Sequence, residues 1–118
     1  EIAAVTAAAA ALAKRINADR ILSITNTGYS AGLLAACRPN TSIVAVTSTV
    51  AAARLLSVCR GVWPLVVERD ENITRAIADG LQGARDKQLI LSGQRIVVCV
   101  SRQGPNSDAD TIMLHLEE

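Results

Sequence analysis

A cluster of hydroxyl and amide side chains follows the first apolar run of the chain. Residues 21–24 form that run, and the residues with potential for chemistry come directly after it: Thr25, Asn26, Thr27, Gly28 and Ser30. Small apolar residues at helical spacing follow from Ala31, so the pattern predicts a strand, a tight loop and a helix. Such a loop gathers free N–H groups at a helix N-terminus, where hydroxyls supply further donors to a phosphate or a carboxylate. The same Thr and Ser types are ordinary caps, so capping without a ligand stays open as the alternative.

A second hydroxyl-rich segment, Thr47-Ser48-Thr49, follows the apolar run at residues 42–46. That run has no polar alternation, which is typical of a parallel strand covered on both faces. Because parallel strands end at the same edge of a sheet, we expect the two hydroxyl-rich loops to lie side by side. Open α/β folds bind their ligands at this edge.

The sequence contains no recognisable set of catalytic groups. There is no P-loop lysine, no group of carboxylates at metal-binding spacing, and no nucleophile paired with a base, so we expect no catalysis and no metal in this domain. His115 is the only histidine. It falls in an alternating strand pattern, and we interpret it as a surface residue on the wetter face of that strand.

Composition and charge exclude several classes of protein. Twelve Lys and Arg against eleven Asp and Glu leave a formal charge of +1, and the chain has no Phe, one Trp and one Tyr. This balance gives no sign of a nucleic-acid partner or a membrane surface. The Ala-rich residues 3–13 lack a basic segment before them and are too short to span a bilayer. We interpret Trp63 as a packing residue at a sheet edge or a subunit contact.

The three cysteines are far apart and have no CxxC spacing. Cys37, Cys59 and Cys99 each lie within or beside an apolar run, which predicts buried thiols of a reducing compartment. The cytoplasm is therefore the expected location.

The 118 residues form one domain, residues 1–118. We predict helices over residues 1–17, from 31 to about 37, over 50–58, and from about 73, the last one closed by residues 88–93 with Gly93 as terminator. Strands are predicted at 21–24, 42–46, 65–67, 95–100 and 111–116, with a turn at 60–64. The sum is an open three-layer α/β/α domain with a five-stranded, mostly parallel sheet and an antiparallel last strand. The first helix starts without a cap, so we expect the sequence to continue upstream in a longer chain.

Several segments, in this order and at these distances, resemble the C-terminal domain of pyruvate kinases. They are Glu1-Ile2-Ala3-Ala4-Val5, Thr25-Asn26-Thr27-Gly28-Tyr29-Ser30-Ala31, Arg38-Pro39 before Ile43-Val44-Ala45-Val46-Thr47, Ala53-Arg54-Leu55, and Arg60-Gly61-Val62-Trp63-Pro64. The resemblance is specific for residues 1–67, and residues 68–118 match mainly in pattern.

The resemblance implies a parent enzyme that transfers phosphate from phosphoenolpyruvate to ADP, using magnesium and potassium on a separate barrel domain of the same chain. In that family this domain carries the allosteric site and contributes to a tetramer interface, so a homo-oligomer is expected. A sugar bisphosphate commonly binds there, with one phosphate in the loop after the first strand. Carried over to this sequence, that loop is Thr25, Asn26, Thr27, Gly28 and Ser30.

The sequence also departs from the family pattern. Many relatives carry a Lys or Arg in this loop, where this chain has Asn26 and Tyr29. Arg75 is a stand-in for the basic residue that holds the second phosphate, and the final loop, with Arg102 and Gly104, is expected to cover the effector. Asp108 and Asp110 in that loop repel a dianion, by about 1 kcal/mol per close pair in water.

A sugar monophosphate, a different effector or none therefore stays open. Two other functions stay open as well. The first is a free-standing phosphometabolite-binding protein without kinase activity. The second is a purely structural assembly domain.

Overall fold

The structure is a computed structural model and describes residues 2–37, 39–68, 70–101 and 109–118. In chain order the elements are α1 (Ile2–Arg15), β1 (Arg20–Ile24), α2 (Tyr29–Ala36), β2 (Ser42–Thr47), α3 (Val50–Leu56), β3 (Val62–Val66), α4 (Ile73–Asp86), β4 (Arg95–Val100) and β5 (Thr111–Leu116). They form a single sheet with the strand order β3-β2-β1-β4-β5, in which only β5 runs antiparallel to its neighbour. The predicted fold is confirmed.

Helices cover the sheet on both faces. Successive residues of a strand point to opposite faces, and β1 shows this clearly, because Ile21 belongs to one apolar cluster and Leu22 to the other. The first cluster packs beneath α1, α2 and α3 through Ala9, Ala13, Ala31, Leu34 and Leu56. The second packs beneath α4 through Leu81 and Ala84. The core therefore lies in two layers, separated by strands that are buried on both sides.

The central position of β1 creates a switch point in the sheet. The chain leaves β1 toward β2 and leaves β4 toward β5, so the connections after these two neighbouring strands diverge. In open α/β sheets, ligands bind outside the carboxyl ends of the strands at such a point. The loop at Thr25 to Gly28 lies there.

The third strand starts earlier than the sequence suggests. We predicted a turn at residues 60–64 and a strand at 65–67, but β3 is Val62–Val66 and pairs with β2 from Ile43↔Val62 onward. The prediction was wrong because a Trp-Pro pair reads as a turn signal. Proline is tolerated here since β3 is an edge strand with no neighbour to receive a hydrogen bond on its outer side.

The end of α4 also differs from the prediction. Gly93 does not terminate this helix, because α4 ends at Asp86 and Gln88 adopts the left-handed conformation with φ 57°. The N–H of Gln88 donates to the carbonyl of Arg85, and that of Leu89 to Ala84, which is the Schellman pattern of helix ends. Gln88 takes the left-handed position where a glycine is usual, so its residue type did not indicate the end of α4.

The exposed face of β5 is the opposite of the predicted one. Leu114 and Leu116 are 49% and 60% exposed, whereas the His115 side chain is only 24% exposed and contacts Glu117. Ile112, on the same face as the two leucines, packs against the cluster beneath α1, but the strand then runs beyond it. Interpreting His115 as a surface residue on the wetter face was therefore wrong.

The cysteines are not all buried. Only Cys99 is buried, Cys59 is half-buried and Cys37 is exposed at the end of α2, so that prediction was wrong for Cys37. All three are free thiols. Trp63 lies on the edge strand β3, as predicted, and is more than half exposed.

Candidate functional site

The loop between β1 and α2 is held by its own hydroxyl groups. Thr25 is buried, its N–H donates to the carbonyl of Val46 (2.9 Å), and its Oγ1 accepts the N–H of Gly28 (3.1 Å). Thr27 Oγ1 accepts the N–H of Tyr29 in a longer contact of 3.4 Å. Gly28 adopts a left-handed conformation, with φ 91°, at the position that precedes α2. Both threonines therefore act on the backbone of the loop, as the capping alternative supposes.

The N-terminus of α2 is nevertheless open. Side chains cap the other two helices of this edge, since Thr49 accepts the N–H of Ala52 in α3 and Asn72 that of Arg75 in α4. Gly28 gives α2 no such cap. Among the described residues, no acceptor is found for the backbone N–H groups of Ser30 and Ala31. An open helix end carries the positive end of the helix dipole.

Ser30 adds a hydroxyl to this open end. The residue is only 6% exposed, and its hydroxyl forms no hydrogen bond within the described part of the chain. The hydroxyl oxygen itself keeps some access to solvent, because among the described residues the fully buried side-chain oxygen without a partner is Ser23 Oγ and not Ser30 Oγ. We call residues 27–31 the cradle. Its unpaired donors are the N–H groups of Ser30 and Ala31 and the hydroxyl of Ser30, a set suited to an anion.

The loops after β1 and β2 touch, as predicted. Ser48 Oγ donates to Asn26 Oδ1 at 3.0 Å. Beneath this contact lies a crevice of about 30 Å³, which is room for one or two water molecules. Its lining includes two carboxylates, those of Glu68 and Asp70, which come from the segment after β3. The crevice is therefore small and acidic.

A larger concave surface lies on the other side of the cradle, between α2 and α3. It has a volume of about 460 Å³ and is lined by Thr27, Gly28, Tyr29, Gly32, Leu33, Leu55, Leu56 and Cys59. We call it the α2–α3 groove. Thr27 and Gly28 belong to both the cradle and the groove, so the two are continuous.

The predicted site residues fall into three groups. Thr25, Asn26, Thr27 and Gly28 form the loop between β1 and α2, whereas Ser30 is the second residue of α2, which begins at Tyr29 and not at the predicted residue 31. Arg75 lies in the first turn of α4 and is exposed, and the crevice is lined by its neighbour Ala76 and not by Arg75. Arg102 and Gly104 lie outside the described residues, as does Asp108.

Sequence reasoning missed the acidic side of the crevice and the α2–α3 groove. Glu68 and Asp70 follow β3 directly, so their position at the carboxyl edge of the sheet was available from the strand pattern. The groove carried no comparable signal, because it depends on how far apart α2 and α3 pack.

A charged contact of Arg85, His115 and Glu117 lies away from this edge. Arg85 of α4 donates from Nε and from Nη2 to the two carboxylate oxygens of Glu117, and His115 Nε2 lies 2.9 Å from Glu117 Oε1. The hydrogen bond from Arg85 is the main cause that lowers the pKa of Glu117 below its ordinary value. Glu117 also pairs through its backbone with Gly93 and Gln94, so the contact ties the end of the chain to α4 and to the turn before β4.

The described residues include no helix that could span a membrane. Nor do they bring three His, Cys, Asp or Glu side chains together in a group able to hold a metal ion.

Comparison with known proteins gives two matches that agree. The family model described as "Pyruvate kinase, alpha/beta domain" matches residues 3–115. A curated protein named "Pyruvate kinase" from Eimeria tenella is 36% identical over 94 residues, which is 80% of this chain and 18% of that protein. The match thus spans less than a fifth of the length of this relative.

Proposed function

Because this chain belongs to the pyruvate kinase family, as its C-terminal α/β domain, we propose that it is the regulatory domain of a pyruvate kinase and binds a phosphorylated effector in the cradle. In this proposal, phosphoryl transfer from phosphoenolpyruvate to ADP takes place on a barrel domain of the same polypeptide. Magnesium and potassium belong to that barrel. No group of three potential metal ligands meets in the described residues, so we assign the metals no step here.

The open N-terminus of α2 is the observation that carries the proposal. An anion there receives the N–H groups of Ser30 and Ala31 and the hydroxyl of Ser30, none of which has another partner among the described residues. A hydrogen bond to a charged group contributes about 1.5–3 kcal/mol, and the helix dipole adds about 0.3–1 kcal/mol. This is enough for a weak phosphate site, to which the rest of an effector adds affinity.

Calorimetric titration of the full-length natural protein with inorganic phosphate and with glucose 6-phosphate tests the proposal. We expect Ser30→Ala to weaken both ligands about tenfold, since it removes one charge-assisted hydrogen bond. Thr27→Ala loosens the loop and weakens them less. The maximal rate of phosphoryl transfer stays unchanged in both variants, because the cradle takes no part in the chemistry.

The matched control is Ser57→Ala. Ser57 is also a helix-end serine, but it is exposed and donates to the carbonyl of Arg54 at the other end of α3. It must bind both ligands like the wild type. Equal affinity of wild type and Ser30→Ala for both phosphates would refute the cradle as the site.

A structural assembly domain is the second candidate, and the exposed face of β5 favours it. Leu114 and Leu116 present apolar surface on an edge strand whose outer side has no neighbour within the sheet. Such an edge is a ready template for pairing with another chain. We propose that the protein forms a homo-oligomer through this edge whether or not an effector binds. If neither phosphate ligand binds the wild type, assembly is the function that stands.

The third possibility is a free-standing binding protein without kinase activity. An assay of the natural protein for pyruvate kinase activity distinguishes it from the regulatory domain and from the assembly domain, because only these two belong to an active kinase. The three free thiols, one of them exposed, fit a reducing compartment such as the cytoplasm, where we place the protein.

A further inference from the structure

Ser57 lies just after the C-terminal end of α3, in a turn that is open to solvent. Helix α3 ends at Leu56, and residues 57–61 form the turn that leads to β3. Ser57 is exposed, and Val58, the next residue, is 86% exposed. Exposed turns are among the least stable parts of a fold, so another enzyme can bind this segment in an extended form.

Two arginines flank this serine. Arg54 lies three residues before Ser57 and Arg60 three residues after it, and both side chains are exposed. Among the described residues, neither guanidinium group has an ion pair or a hydrogen bond. The sequence from residue 20 to residue 67 contains four arginines and no acidic residue. Both cations are therefore available to a partner, and protein kinases select their substrates by charge patterns of this kind.

The other exposed hydroxyl groups lack this surrounding charge. In the described part of the chain, the exposed serines and threonines are Thr27, Thr49, Ser57, Thr74 and Ser92. Of these, Ser57 alone has an arginine three residues before it and another three residues after it. Ser92, in the turn before β4, has an arginine only on its C-terminal side, at Arg95. Ser57 thus stands out by exposure and charge together.

We propose that Ser57 is a phosphorylation site for a protein kinase that recognises arginine on both sides of the serine. In this step Ser57 Oγ attacks the γ-phosphorus of ATP and its proton passes to a base of the kinase. The bond from that phosphorus to the bridging oxygen breaks, and ADP leaves. The new phosphate carries a charge of about −1.5 to −2, which Arg54 and Arg60 partly neutralise. This inference goes beyond the proposed function and does not use the cradle.

Phosphorylation changes the end of α3, because the hydroxyl of Ser57 already has a structural role. Ser57 Oγ donates to the carbonyl of Arg54 at 2.6 Å, and the phosphorylated oxygen has no hydrogen to donate. The helix dipole also repels a negative charge at a helix C-terminus. The last turn of α3 therefore loosens. Cys59 reports this change, since it is half-buried and its N–H donates to the carbonyl of Leu56 at 3.0 Å.

The first experiment measures the modification itself. The full-length protein is incubated with an extract of its source cells and with ATP labelled in the γ-phosphate, and the labelled residue is identified after digestion. We expect label on Ser57 in the wild type and none there in Ser57→Ala. Combining Arg54→Gln with Arg60→Gln should lower the labelling of Ser57 about tenfold, since the kinase loses its charged contacts. Ser92→Ala is the matched control and must leave this labelling unchanged.

The second experiment measures the consequence for α3. A thiol reagent is added to the phosphorylated protein and to Ser57→Glu, which introduces a negative charge at the same place. We expect Cys59 to be modified about threefold faster in both than in the unmodified wild type, with the rate at Cys37 unchanged. Ser92→Glu adds the same charge to another exposed turn and must leave the rate at Cys59 as it is in the wild type.

Each outcome decides a different statement. Absence of label from Ser57 in the wild type overturns the phosphorylation site. Labelling of Ser57 that is as strong in the double arginine variant as in the wild type overturns recognition through Arg54 and Arg60. An unchanged rate at Cys59 in the phosphorylated protein overturns the loosening of α3. None of these results measures the affinity of the cradle for phosphate, so this inference and the proposed function fail separately.

Discussion

Replacing Gly28 by alanine tests how the cradle is built. Gly28 has φ 91°, and a Cβ added there lies 3.3 Å from Cδ1 and Cγ of Leu56. The left-handed conformation costs a non-glycine residue about 1 kcal/mol. Ordinary contacts between carbon atoms are about 3.5–4.0 Å, so Leu56, which is buried, must also move, at a further cost of about 1 kcal/mol. We expect Gly28→Ala to lower the free energy of unfolding by about 2 kcal/mol.

Gly61 and Gly93 provide the matched controls. They have φ 78° and 86°, and an added Cβ meets no heavy atom within 4 Å at either position. Their alanine variants therefore carry the conformational strain without the contact, and we expect each to lose about 1 kcal/mol. In thermal unfolding, a domain of this size loses about 4 °C per kcal/mol, which predicts about 8 °C for Gly28→Ala and about 4 °C for each control.

Comparing the three variants shows whether the contact with Leu56 and the left-handed conformation each lower the free energy of unfolding. If Gly28→Ala is no less stable than Gly61→Ala and Gly93→Ala, Leu56 yields without cost and the tight contact has no energetic meaning. If all three are as stable as the wild type, the left-handed strain itself is absent. Urea unfolding with unchanged m-values confirms that the variants differ in stability and not in the compactness of either state.

Two further predictions concern groups away from the cradle. The pKa of Glu117 is lowered in the folded chain, chiefly by the hydrogen bond from Arg85, so its contribution to stability is present above the ordinary value of 4.5 and is lost as the pH falls through the lowered value. Urea titrations should therefore show Glu117→Gln less stable than wild type by about 1–2 kcal/mol at pH 7, with the difference shrinking below pH 4.5, and a pH-independent difference would contradict this. Burial raises the pKa of the Cys99 thiol to about 11, so at pH 8 a thiol reagent should modify exposed Cys37 first, Cys59 more slowly, and Cys99 only after unfolding. Simultaneous modification of all three thiols in the folded protein would show that the burial of Cys99 is not maintained.

Among the parallel strands, those predicted correctly are the ones buried on both faces, and the bounds of the antiparallel β5 were also predicted correctly although one of its faces is exposed. Residues Arg95–Val100 and the run after Ser42 consist almost entirely of β-branched and small apolar residues, a pattern that a parallel strand between two helical layers requires. β3 was harder because it lies at the edge, where exposure of Trp63 and the presence of Pro64 are both permitted. For a parallel edge strand such as β3, local residue types describe the bounds less well, because only one of its neighbours constrains it.

The face of β5 illustrates a different limit. Alternation predicted two unlike faces, and the strand has them, but the sequence could not say which one the helices cover. That depends on the reach of α1 over Ile112 and of α4 over Met113 and Glu117. Hydropathy predicted that the polar residue His115 is exposed to solvent, whereas its side chain contacts the buried carboxylate of Glu117.

For the candidate site, the sequence predicted the position of the loop but not whether its hydroxyl groups leave the N-terminus of α2 open. The order of parallel strands placed Thr25 to Ser30 beside Ser48, which the contact between Ser48 and Asn26 confirms. Whether the hydroxyls of Thr25 and Thr27 leave α2 open depends on which N–H groups they reach, and they reach those of Gly28 and Tyr29. Ser30 is left without a partner among the described residues by geometry that residue types alone do not encode.

The cradle therefore forms only when α2 packs against the rest of the domain, and the β1–α2 segment alone would not hold its conformation. The helix α2 has only eight residues, and isolated helices shorter than about 12–15 residues are marginal in water. Its buried residues Ala31 and Leu34 hold it on the sheet, while Leu56 of α3 occupies the space next to Gly28, 3.3 Å from the position of an added Cβ. The N–H groups of Ser30 and Ala31 can converge on one anion only after both contacts exist. An anion that binds them therefore stabilises the packing of α2 against β1 and α3, because it has affinity for the folded arrangement alone.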